Sequence, residues 1–161
     1  MSKRDMSEQP LNIPYDALMI GATLNILAQT LNRRVARAAH ERGFIDFRAA
    51  FHPVFQWCRT EGSRLTELAE RAGVTKPSMS EIVDVMERLG YVERVPDPRD
   101  RRATLIRRTP RGWEINRIAR DTIEAAQDEW RRALGEDEFA QLLSALRRLT
   151  RLAIEPAGAS E

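Results

Sequence analysis

Apolar residues recur at spacings of three and four through Ile20, Leu24, Leu27, Leu31 and Val35, which predicts a long helix over 14–42. Pro14 suits a first helical turn, where its missing N–H costs nothing, and Gly43 is the expected stop. A second stripe, Phe47, Phe51, Val54, Phe55 and Cys58, predicts a segment over 47–59; Pro53 should kink it or limit regular helix to its C-terminal half. After a turn at Glu61-Gly62, Leu65, Leu68, Ala69 and Ala72 mark a short helix ended by Gly73. Met79, Ile82, Val83, Met86 and Leu89 mark the next, ended by Gly90. Residues 91–95 and 103–109 read as strands, with a long polar loop at 96–102 between them. Beyond Pro110 and Gly112 the helical period returns as far as Leu134, with Ile115, Ile118, Thr122, Ala125 and Glu129 on one stripe. A last helix over 136–154 carries Phe139, Leu142, Leu143, Leu146 and Leu149. Residues 1–13 and 155–161 are polar, contain proline, and read as frayed tails.

The order of the middle elements matters more than any one of them. A short helix, a glycine turn and a second amphipathic helix make a helix-turn-helix, and the strand pair that follows makes it winged. The predicted fold class is therefore mainly α, a winged helix-turn-helix core flanked by N- and C-terminal helices. With its apolar stripe inward, the second helix turns Pro77, Ser80, Glu81, Asp84 and Arg88 outward, with Lys76 and Ser78 near its start. That start is where a recognition helix meets bases and phosphates, and Lys76 with the free N–H groups of the first turn suits a phosphate. Thr75 is one candidate cap; because Pro77 biases Lys76 away from helical geometry, the cap could equally fall one residue later. Asp84 is spaced to pair with Arg88.

Composition adds bounds. A chain of 161 residues, 42% hydrophobic and 31% charged, fits a helix-rich globular protein with one principal domain. No apolar run approaches the roughly 18–20 residues that span a bilayer, the first residues do not resemble a secretory signal, and the lone Cys58 excludes an intramolecular disulfide framework. A cytoplasmic location is the expectation. The net charge of +2 hides a concentration of seven arginines against Asp97 and Asp100 between Arg94 and Arg111, a local balance of +5. Such a stripe suits a polyanion-facing surface. In "PDPRDRRATL" the length supplies reach, the prolines limit slack, and Arg99, Arg101 and Arg102 supply charge. Asp100 is close enough in sequence to pair with Arg102 or Arg99 and restrict a long side chain before binding.

The stretch "ELAERAGVTKPSMSEIVDVMERLGYVERVPDPRDRRATLIRRTPRG", within Arg64 to Gly112, resembles the DNA-binding core of MarR-family transcriptional regulators, most specifically in the Asp-Arg-Arg of the wing and the closing T-P-x-G. The resemblance implies one domain over 1–161: a winged-helix core at 45–111, dimerisation helices at 14–42 and 112–154, a recognition helix at 76–89 and a wing at 96–102. It implies a homodimer on the double-stranded DNA of a pseudo-palindromic operator, more often a repressor, released in many members by a small aromatic effector or by oxidation. Thr75, Lys76, Pro77, Ser78 and Ser80 match the start of the family's recognition helix, and Asp100 and Arg102 its wing pair, with Arg102 in the minor groove. Glu81 departs from the basic or neutral polar residue of many members, so this position either accepts from a cytosine amino group or turns away.

Other candidates have plainer readings. Cys58 can be a redox sensor but lies on an apolar stripe, where a lone thiol is usually packing. His40 and His52 lack metal-ligand spacing; His52 can line an effector pocket or simply be a hydrogen-bonded, partly buried ring. Trp113 and Trp130 suit core or dimer interface better than a ligand cage. "GVTKPS" lacks the spacing of a phosphate-binding loop. No cofactor, metal site or nucleophile–base pair suggests itself, so an enzyme is not expected. The alternative to a DNA-binding regulator is a winged-helix protein-interaction module, which has no need of the basic wing.

Overall fold

The computed structural model describes residues 19–154, apart from the side chains of Arg101 and Ile154. The expected helix start at Pro14 and the two tails lie outside the described residues. Among those described, α1 (Ile20–Glu41) is followed by a 3-10 turn (Ala49–Phe51), α2 (His52–Trp57), β1 (Ser63–Arg64), α3 (Leu65–Ala72) and α4 (Lys76–Arg88). The hairpin β2 (Val92–Asp97) and β3 (Asp100–Arg108) comes next, then α5 (Pro110–Leu134) and α6 (Glu136–Ile154). The sheet is antiparallel with order β1-β3-β2. This is a mostly helical winged-helix fold. Strand β1 had no sequence signal, because two residues carry no readable period.

Local chemistry explains the boundaries. Regular helix in α2 is indeed confined to the part around and after Pro53, which occupies its first turn where no N–H is needed. Helix α3 ends where Gly73 enters the left-handed region at φ 65°, and the N–H of Val74 reaches back to the Ala69 carbonyl at 3.0 Å. The same device ends α4: Gly90 takes φ 75° and the Tyr91 N–H donates to the Met86 carbonyl at 2.9 Å.

The core gathers where the winged helix meets the C-terminal part of α1 and the first half of α5. Leu68, Met79, Val83 and Met86 are buried from the helix pair, Val92 and Ile106 from the hairpin, and Ile115 and Ile118 from α5. Phe47, Phe51 and Phe55 surround Tyr91 with ring centroids about 6 Å apart. The Tyr91 hydroxyl donates to Asp46, and Arg111 lies over the Tyr91 ring at 4.8 Å while donating to Asp46 at 2.9 Å. Burial pushes the Tyr91 hydroxyl up to about 12, and its bond to Asp46 acts in the same direction.

Two expectations are corrected, for α5 and for Asp84, and the stripe on α1 is left partly uncovered. The stripe on α5 shifts after Ile118: Ala126 is buried, whereas Ala125 and Glu129 are exposed. On α1 only Val35 and Ala39 are buried, so Ile20, Leu24 and Leu27 remain exposed despite their helical spacing. Asp84 pairs with Arg94 on β2 at 2.6 Å rather than with Arg88, because the hairpin lies against α4 and brings a cation closer than the i+4 neighbour does.

The T-P-x-G sequence proves to be a joint. Thr109 caps α5 by accepting from the Gly112 N–H at 3.2 Å, and its hydroxyl donates to the Gly90 carbonyl at 2.5 Å. Gly112 is pressed against the Tyr91 carbonyl so closely that a Cβ could not fit between them. Gly112→Ala should therefore destabilise by about 1–3 kcal/mol, outweighing alanine's better helix propensity. A fall in the urea midpoint at unchanged slope is the expected measurement.

Candidate nucleic-acid interface

Thr75 is the cap of α4, which resolves the choice between it and the next residue. Its hydroxyl accepts from the Ser78 N–H at 3.3 Å and lies 2.9 Å from the Ser78 hydroxyl. The helix begins at Lys76 with Pro77 in the first turn. One consequence revises the anion-site expectation. Pro77 has no N–H and Ser78's is taken by Thr75, so of the first three helical residues only Lys76 keeps a backbone donor for a phosphate. Thr75, Lys76, Pro77 and Ser78 are all exposed, and Ser80 is half-buried. Glu81 is also exposed, with no ion pair among the described residues, so its carboxylate stands on the open face of the helix.

The wing differs from the long loop expected at 96–102. Asp97 pairs with Asp100 across a turn of only Pro98 and Arg99, and Pro96 pairs with Thr104. Residues 101–103 therefore bulge from β3 without partners on β2. Two aspartates shape this tip. The Asp97 carboxylate accepts from the Arg99 N–H at 2.9 Å, and the Asp100 carboxylate accepts from the Arg102 N–H at 3.1 Å. Each side chain thus holds a backbone N–H two residues on, as Asx turns do. Asp100 does engage Arg102, but through its backbone: no ion pair joins Asp100 to the guanidinium of Arg102 or of Arg99 among the described residues. The cation that both aspartates share is Arg64, at the edge strand before α3. Its Nε and Nη2 donate to Asp97 Oδ2 at 3.0 and 2.7 Å, and its Nη2 reaches Asp100 at 3.4 Å.

The basic stripe also separates by role. Arg94 is tied to Asp84 and Glu87, Arg107 to Glu93 at 3.0 Å, and Arg111 to Asp46. Arg108 is buried: it donates to the Phe55 carbonyl at 3.0 Å and the Cys58 carbonyl at 2.5 Å, and stacks 4.3 Å from the Trp113 ring. A cation there completes the carbonyls at the end of α2. Burial holds its pKa below the ordinary arginine value. Arg99 and Arg102 are exposed and lack an acidic partner among the described residues; Arg101 lies on β3, and its side chain lies outside the described residues. The charge available to a polyanion is concentrated at the wing tip rather than spread along the stripe.

The remaining candidates fall on the plainer side. Cys58 is buried, its thiol donates to the Ile106 carbonyl at 3.3 Å, and burial raises its pKa, the opposite of a reactive thiolate. His40 lies 2.7 Å from the Phe47 carbonyl. His52 is half-buried, and burial holds its pKa below the usual imidazole value. Trp113 is 39% exposed and serves Arg108, whereas Trp130 faces an apolar hollow between α1 and α6. Among the described residues no helix is long and apolar enough to cross a membrane. Sequence reasoning missed Arg64 altogether, because nothing local links it to carboxylates 33 and 36 residues away.

Asp97 is held below the usual carboxylate range, first by the Arg99 N–H and then by Arg64. A depressed carboxyl contributes stability above its unfolded value, near 3.8, and loses that contribution as pH falls through its folded value. The tip should thus stay locked at neutral pH and loosen only in acid. An NMR titration of the Asp97 carboxyl carbon should give a midpoint below 3.8.

Residues 57–103 match the sequence profile of the MarR family. No curated protein matches the chain as a whole at a significant level. Among solved structures, one described as MarR is 25% identical over 85% of this chain and 98% of its own, with a TM-score of 0.70. CouR from Rhodococcus jostii RHA1, bound to p-coumaroyl-CoA, is 22% identical over 88% of this chain and 95% of its own, with a TM-score of 0.67. Wild-type MarR from E. coli in its apo form is 23% identical over 82% and 96%, with a TM-score of 0.63. The match at residues 57–103 and the fold shared along most of the chain make this winged-helix protein similar to transcriptional regulators of the MarR family.

Proposed function

We propose that the protein is a homodimeric, sequence-specific DNA-binding repressor, with α4 in the major groove and the wing tip in the minor groove. The observation that carries this reading is the exposed start of α4, Thr75 to Ser78, together with a wing tip that presents Arg99 and Arg102 to solvent. Lys76 offers both an ammonium and a backbone N–H to one phosphate, and Arg102 stands on the bulge of β3. No catalytic step is part of the proposal.

Dimerisation is supported by apolar surface the chain does not cover itself. Ile20, Leu24, Leu27, Leu142, Leu149 and Leu152 are 41–73% exposed on α1 and α6, around the hollow that Trp130 and Phe139 help to line. Exposed apolar surface gathered around one hollow supports an interface there. Release by a small aromatic effector completes the proposal; CouR's p-coumaroyl-CoA is the relative's ligand that supports it. With four of the seven stripe arginines engaged internally, charge alone separates this reading from a protein-interaction module less sharply than the sequence suggests.

Selection of bound duplexes from a random DNA pool should enrich a palindrome with half-sites about 10 base pairs apart, centre to centre. No enrichment would favour the interaction module, and a monomer by sedimentation at micromolar concentration would remove the dimer. Lys76→Ala should lower affinity for every duplex and reduce the salt slope by about one. A change of sequence preference instead would mean that Lys76 reads a base.

A further inference from the structure

We propose that Arg64 is a positioning residue for the wing: by clamping Asp97 and Asp100 together it sets the pose of Arg99 and Arg102, and DNA affinity depends on it without its touching DNA. The inference rests on the DNA-binding reading above. Arg64 caps the first helix of the helix-turn-helix at its backbone, where its N–H donates to Glu67 at 3.2 Å. Its side chain leaves the helix and grips the wing, with two N–H groups on Asp97 Oδ2 and a longer reach to Asp100.

The grip is transmitted by the aspartates. Asp97 is only 5% exposed, so its carboxylate relies on the protein for its partners: Arg64 and the Arg99 N–H. Asp100 shares Arg64 with Asp97 and holds the Arg102 N–H. One guanidinium therefore fixes both carboxylates that fix the backbone at the two accessible tip arginines. It also compensates two negative charges that would otherwise face DNA phosphate. A fork that bonds through two N–H groups is needed for this; an ammonium offers charge without the same planar geometry.

The test uses the full-length protein and the duplex enriched from the random pool. Arg64→Ala should weaken binding about tenfold, the scale of one lost groove contact. Arg64→Lys should recover only part of that loss. In a double-mutant cycle, Arg64→Ala should add little once Arg99 and Arg102 are both alanine, since the contacts it positions are then already gone. Backbone amide exchange at Arg99 and Arg102 should quicken in Arg64→Ala by more than its change in global stability, read from urea unfolding, explains. Additive losses would make Arg64 an independent DNA contact and overturn the proposal. So would wild-type affinity, or unchanged amide protection, in the alanine variant. If Arg64→Ala fails to fold, Arg64→Lys carries the test, and wild-type affinity with wild-type protection there overturns it. If no duplex is enriched for the wild-type protein, the DNA-binding reading fails. The amide exchange then decides separately whether Arg64 locks the wing.

Discussion

Tyr91 joins the recognition helix, the wing and the long fifth helix through contacts made by nearly every polar atom it has. Its N–H closes α4 on the Met86 carbonyl, and its own carbonyl accepts from the Thr109 N–H at 3.2 Å. Gly112 abuts that carbonyl, so α5 starts at a defined distance from the base of the hairpin. The ring is fully buried among phenylalanines, and the hydroxyl reaches Asp46 in the loop between α1 and α2. A residue that carries its helix's last hydrogen bond, the hairpin's first contact and the centre of an aromatic cluster leaves little freedom for these elements to move independently.

Around that joint the arginines divide by solvation. Arg108 has lost water and is satisfied mainly by carbonyls, with its Nε left without a partner. Arg94 and Arg111 are tied to carboxylates on neighbouring elements and fasten the hairpin to α4 and α5 to the Asp46 loop. Surface pairs of this kind contribute modestly to stability, but they consume cations that a charge count assigns to DNA. What reaches solvent unpaired is the tip, where the aspartates act on backbone rather than on their neighbours' guanidinium groups.

The apolar stripes of α1 and α6 show the limit of periodicity. Leu24 and Leu27 recur at helical spacing as buried residues do, and the spacing correctly predicts a helix. It does not say whether the covering surface belongs to the same chain. Here the chain covers Val35 and Ala39 with α5 and leaves the earlier residues open. The wing misleads in a related way. Two prolines and five charged residues look like an extended loop, yet Asp97 and Asp100 lie across from each other, and the excess length becomes a bulge.

The sequence alone determined what depends on neighbours within a few residues: the Gly73 and Gly90 stops, a cap at Thr75 or the residue after it, the helical stripes and the helix-helix-hairpin order. Those features follow from backbone sterics and hydrogen bonds over three to five residues, which any reading of the chain can test. Tertiary structure alone decided which carboxylates Arg64, Arg94, Arg107 and Arg111 meet. Coulomb attraction and hydrogen bonding act between whatever groups the fold brings within about 4 Å, and separation along the chain is irrelevant to them. Arg64 and Asp97, 33 residues apart, become the closest of partners only after α3 and the wing have been packed side by side.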